Sequence, residues 1–114
     1  VRELSTGGVQ LIVGRAVGGS ETNLRATTVP GLTAEPGELV HLRTQAVGAA
    51  PTTLRAKVWA DGTPEPDGWS IAVTDSTAAL QTAGGIGLRT YLSGSATNAP
   101  VMGLFDELWV GPTP

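Results

Sequence analysis

Arg55, Lys57 and Trp59 fall on alternate positions of the run LRAKVWA. In an extended chain they share one face, and Leu54, Ala56, Val58 and Ala60 share the other. The run LVHLRTQAV repeats the arrangement, with His41, Arg43 and Gln45 opposing Val40, Leu42 and Thr44. The four-residue turn GAAP separates this run from the strand TTLRAKVWA, which makes the two strands expected neighbours in one sheet. IGLRTYL adds Arg89 and Tyr91 opposite Ile86, Leu88 and Leu92. Guanidinium forks suit partners with several acceptors, and aromatic faces suit the C–H faces of sugar rings. The candidate ligand-binding set is therefore Arg43, Arg55, Lys57, Trp59, Arg89 and Tyr91, with a cell-surface or cell-wall glycan as the expected ligand. The same pattern also serves a purely structural role. Long basic stems cover sheet surface while their heads stay wet, and cross-strand pairs stabilise a sheet by roughly 0.2–1 kcal/mol each.

Other chemistry is thinly represented. The loop DGTPEPDG carries Asp61, Glu65 and Asp67, oxygen ligands of the kind Ca²⁺ takes, but without EF-hand spacing. Its two Asp-Gly pairs favour turns and its prolines stiffen the span; in the purely structural reading of the face, Trp59 folds over Pro64 or Pro66 and fixes the loop. A nucleophilic triad would have to use the single histidine, His41, in mid-strand and without a G-x-S-x-G elbow. A glycosidase needs two carboxyls facing across a cleft, whereas Asp106 and Glu107 are adjacent and the other acids are scattered over turns. AGGIGLR leads into a strand where a dinucleotide loop would need a helix. The expectation is a non-enzyme that needs no cofactor.

The elements that must position these residues read as strands. Period-2 patterns cover residues 9–17, 22–29, 39–47, 52–60, 69–75, 86–93 and 101–110, with a stub at 1–4. Gly18-Gly19 can supply the two positive φ values of a tight hairpin, and residues 76–85 have room for one helical turn. Trp69 shares a face with Ile71 and Val73 and is expected in the core. Phe105 and Leu108 cannot share a face in strict alternation, so a bulge is expected at Asp106-Glu107. Residues 1–110 are expected to form one antiparallel β-sandwich, with 111–114 a linker.

Composition agrees. The chain has 114 residues, 16 glycines, 8 prolines, no cysteine and 4% aromatics, a β-rich, turn-rich, disulfide-free make-up. Its net charge of −3 argues against nucleic acid as a partner. No apolar run approaches the ~20 residues of a membrane-spanning helix. The chain opens at Val1 with VREL, which reads as the end of a strand already under way, so a piece of a longer protein is expected.

Three stretches, VGGSETNLRATTVPGLT, LRAKVWADGTPEPDGW and GIGLRTYLSGSATNAPV with FDELWV, together resemble the concanavalin A-like (laminin-G-like) jelly-roll domains of actinobacteriophage minor tail proteins. Similar domains are attached to secreted actinobacterial glycosidases. The resemblance implies an all-β antiparallel sandwich with strands missing at its N-terminal side, trimmed away or supplied by another chain or segment. It implies an adhesion or carbohydrate-binding domain of a phage tail, with a structural spacer of the tail or a binding module of a secreted hydrolase as alternatives. The location would be virion or extracellular, and the partners a glycan and other chains of the same assembly. Domains of this kind sometimes hold a structural Ca²⁺ through an acidic residue of a closing strand. Asp106 matches that position, with its expected co-ligands upstream of Val1. The closely spaced acidic catalytic motif of the glucanase relatives is absent from the chain.

Overall fold

A computed structural model of the chain describes residues 1–113. Pro114, the end of the expected linker, lies outside the described residues. The chain divides into two units, residues 1–82 and residues 83 onward.

The first unit is all-β. It holds β1 (Arg2–Glu3), β2 (Gly8–Val17), β3 (Ser20–Thr33), β4 (Val40–Val47), β5 (Thr52–Ala60) and β6 (Ile71–Asp75). A single 3-10 turn, Ala78–Leu80, occupies the place where one helical turn was expected. The strands form two antiparallel three-stranded meanders, ordered β1-β2-β3 and β4-β5-β6. No described helix is long and apolar enough to cross a membrane.

The β2–β3 hairpin closes through Val17 and Ser20, with Gly18 and Gly19 between them at φ of 57° and 82°. Two consecutive positive φ values twist the turn to match the flanking strands, and glycine adopts them without a Cβ clash. Pairing slips by one residue where Leu24 is passed over, next to Gly14. A Cβ on Gly14 would sit 2.8 Å from the Thr22 carbonyl oxygen, so only glycine allows that approach. The strand runs on to Thr33, four residues beyond the expected end, because a second slip between Gly8 and Gln10 absorbs the Pro30-Gly31 kink.

The inner faces of the two meanders meet in one core. Val9 and Leu11 of β2 and Leu32 of β3 pack with Ala56 and Val58 of β5 and Ile71 of β6. Val13, Val29, Val40 and Val73 extend the cluster. This alternation is the one read from the sequence, and it yields a sandwich-like arrangement. At one end a polar clasp joins the sheets. Arg15 of β2 donates to Asp75 of β6 at 2.7 Å and to Thr77 Oγ1 at 2.6 Å. The Thr77 hydroxyl and amide donate to the Asp75 carboxylate. Gln81 donates to the Asp75 and Thr77 carbonyls and accepts from the Ala50 amide and the Thr52 hydroxyl. Asp75 is only 6% exposed.

Three expectations are corrected. Residues 86–93 and 101–110 form no strands: no described residue beyond Asp75 belongs to a ladder. Alternation makes a segment competent for a ladder, but a strand exists only with a partner. The bulge expected at Asp106-Glu107 therefore has no ladder to interrupt, and Glu107 instead takes φ of 51°. Finally, β6 starts at Ile71, so Trp69 belongs to the preceding loop.

Two predictions follow from packing and charge. Leu11→Ala is expected to lower unfolding stability by about 2–5 kcal/mol, read by urea denaturation. The bond from Arg15, with those from Thr77, holds the Asp75 carboxyl below its ordinary value despite burial. A carboxyl depressed in the folded state contributes stability that is complete above its unfolded value and is lost as pH falls through the lower folded one. The melting temperature of the wild-type chain should thus fall on acidification through and below pH ~4. Asp75→Asn should melt lower at neutral pH and show a shallower acid dependence.

Candidate functional site

The predicted β4–β5 face forms, with the two strands antiparallel neighbours. His41 pairs with Trp59, Arg43 with Lys57 and Gln45 with Arg55. Side chains directly opposite one another in an antiparallel pair are close enough to interact, and these do. The His41 and Trp59 rings stack at 5.2 Å with 16° between planes. Arg55 Nη1 donates to Gln45 Oε1 at 2.7 Å. Four of the six candidate residues, Arg43, Arg55, Lys57 and Trp59, thus stand together.

The loop after β5 folds back over this face. Asp61 Oδ1 lies 2.8 Å from His41 Nε2. Glu65 Oε1 takes Lys57 Nζ at 2.7 Å and Arg43 Nη1 at 2.9 Å. Lys57 Nζ also donates to the Pro66 carbonyl at 2.5 Å and lies 5.0 Å from the centroid of the Trp69 ring. Lys57 is consequently 6% exposed. This corrects its expected place on an open surface: an ammonium on a central strand is closed over by a carboxylate, a carbonyl and an aromatic face, each of which favours the cation. It also corrects Trp69, which is half-buried over Lys57 on the polar face, away from the core cluster. Trp59 stacks on His41, and Lys57, through Glu65 and the Pro66 carbonyl, ties down the loop together with the Trp69 ring.

Electrostatically the face is largely self-neutralised. The Lys57 hydrogen bond, with Arg43 beside it, holds the Glu65 carboxyl below its ordinary range. His41 and the Gly62 amide do the same for Asp61. What faces solvent is Arg43, with more than half of its side chain exposed, and the half-buried Arg55, His41 and Trp59. These groups can offer a ring face and forked donors to a ligand rich in hydroxyl or carboxylate oxygens.

Arg89 and Tyr91 lie in residues 83–113, outside any ladder, so they are not members of this cross-strand array. Tyr91 is highly exposed. Asp106, expected as a metal ligand, accepts a hydrogen bond from the Glu107 amide at 2.8 Å. No group of three or more potential ligating side chains occurs among the described residues. The acidic loop residues Asp61 and Glu65 are engaged with His41, Arg43 and Lys57.

The sequence reading missed that the loop acids neutralise the strand bases. A signal was present: six of the seven basic residues were expected in strands, while the acids clustered in turns. The Arg15–Asp75 bond, spanning 60 positions, carried no such signal. Compared with protein-family models, with curated proteins and with solved structures, the chain matches none.

If Glu65 is the loop's anchor, Glu65→Ala should speed amide hydrogen exchange across residues 61–69 while leaving protection in the β4–β5 ladder intact. Unchanged exchange in the loop would show that it is held by other contacts.

Proposed function

We propose that the chain is a non-catalytic recognition module that contacts a cell-surface glycan through the β4–β5 face. The observation that carries this reading is the His41–Trp59 stack, set in register with Arg43 and the Arg55–Gln45 pair. A flat aromatic surface beside fixed hydrogen-bonding groups is what a sugar ring needs, since one of its faces is apolar and its rim is hydroxylated. Because Lys57 is closed over by Glu65 and Trp69, its role in this reading is to position the loop, and contact falls to Arg43, Arg55 and Trp59.

In fold terms the reading is a concanavalin A-like jelly roll, supported by two antiparallel meanders packed on their inner faces and by the sequence resemblance. That resemblance favours an adhesion domain of a phage minor tail protein, located on the virion or outside the cell. A structural or assembly module is the second reading. It is favoured by the exposed apolar side chains of residues 86–110.

The test is a glycan array and a pull-down on intact cell walls, with Trp59→Ala and Arg55→Ala beside wild type. Wild type should bind, and each substitution should weaken binding by about tenfold or more, equivalent to about 1.4 kcal/mol. Absence of wild-type binding, or equal binding by all three proteins, rules the reading out.

A further inference from the structure

On the β4–β5 face a single carboxylate oxygen serves two bases. Glu65 Oε1 lies 2.7 Å from Lys57 Nζ and 2.9 Å from Arg43 Nη1. Arg43 and Lys57 are the opposed members of one cross-strand pair. Two cations side by side are where an anionic group of a ligand would sit. The loop puts its own carboxylate there, and the adjoining cations keep it ionised, below its ordinary range.

That occupant is tethered. Glu65 stands between Pro64 and Pro66, which limit the conformations open to the loop. Lys57 also holds the Pro66 carbonyl, and the Trp69 ring lies beside the ammonium. A tethered carboxylate competes at a high effective concentration, so a dilute free one does not displace it. Arg55 is the remaining strand guanidinium of the face. Its Nη1 donates to the neutral Gln45, and it makes no ion pair among the described residues. One half-buried cation holds a polyanion poorly in salt solution. The His41–Trp59 stack and the Arg55–Gln45 pair suit a ring face and hydroxyls, groups that carry no charge.

We propose that Glu65 sets the charge specificity of the face: its carboxylate keeps anionic polymers off Arg43 and Lys57, and the glycan taken is a neutral, hydroxyl-rich one. The ligand class rests on the glycan-recognition reading, while the blocking role of Glu65 is read separately. Selectivity of this kind comes from a competitor already in place as well as from contacts offered to the ligand. Removing that charge should free a cation cluster of Arg43, Lys57 and Arg55 on two neighbouring strands.

The probes are polygalacturonate and its fully methyl-esterified form, one sugar chain with and without charge, used in affinity electrophoresis beside a glycan array. Wild type should bind neutral members of the array and be retarded little by polygalacturonate. Glu65→Gln keeps an acceptor oxygen for Lys57. It should bind polygalacturonate about tenfold more tightly than wild type, lose that gain in high salt and show none toward the ester. Asp67→Asn removes the same charge from the same loop, at an exposed residue outside these ion pairs, and should leave binding unchanged. Glu65→Gln/Arg43→Gln should abolish the gain. Wild type that prefers acidic glycans, or is held tightly by polygalacturonate, overturns the proposal while leaving glycan recognition standing. So does the lack of a gain in Glu65→Gln, an equal gain in Asp67→Asn, or a gain that survives Arg43→Gln, which would trace it to loop opening. If wild type binds no glycan of the array, the recognition reading falls and the ligand class with it, and a gain in Glu65→Gln then supports the blocking role alone.

Discussion

The ammonium of Lys57 sits in the middle of the central strand of the second sheet, between Ala56 and Val58, two of the best-sealed residues of the core. Its backbone position is therefore held from below by apolar packing. Its head emerges on the opposite face, where a charge cannot be left dry and unpaired without heavy cost. Glu65, the Pro66 carbonyl and the Trp69 ring meet that demand together. The course of the loop between β5 and β6 is then set by where those three groups must be. The same loop places Asp61 on His41 and thereby steadies the His41–Trp59 stack.

One strand thus links the core to the candidate site. The even-numbered residues of β5 close the sandwich-like interior, and the odd-numbered residues organise the face that could recognise a ligand. A second polar device acts at the other end of the sheets, where Arg15 and the buried Asp75 tie the two meanders and Gln81 fastens the β4–β5 turn. The interior is small, six buried apolar residues in a unit of 82, so these polar ties matter more than they would in a larger domain.

The site that results differs in character from a row of free cations. Arg43 and Lys57 share one carboxylate, and Asp61 faces His41. A polyanion would have to compete with those internal partners. A ligand that uses ring stacking and a few directed hydrogen bonds would not, which is why the aromatic pair and Arg55 carry the functional reading.

Much of this was determined by the residue order alone. Alternation specified β2, β4 and β5 nearly to the residue and put His41, Arg43 and Gln45 on one face with Arg55, Lys57 and Trp59 of the neighbouring strand, and Gly18-Gly19 marked the hairpin turn. These are local matters: side-chain period, turn chemistry and a four-residue connection leave little choice. Tertiary structure decided the rest. It placed Trp69 over Lys57 where alternation had put it in the core, because a loop residue does not obey the period of the strand it precedes. It joined Arg15 to Asp75 across 60 positions, a contact that exists only once two sheets face each other. It also left residues 86–93 and 101–110 without ladders, since alternation states what a segment can pair with and only the assembled fold supplies the partner.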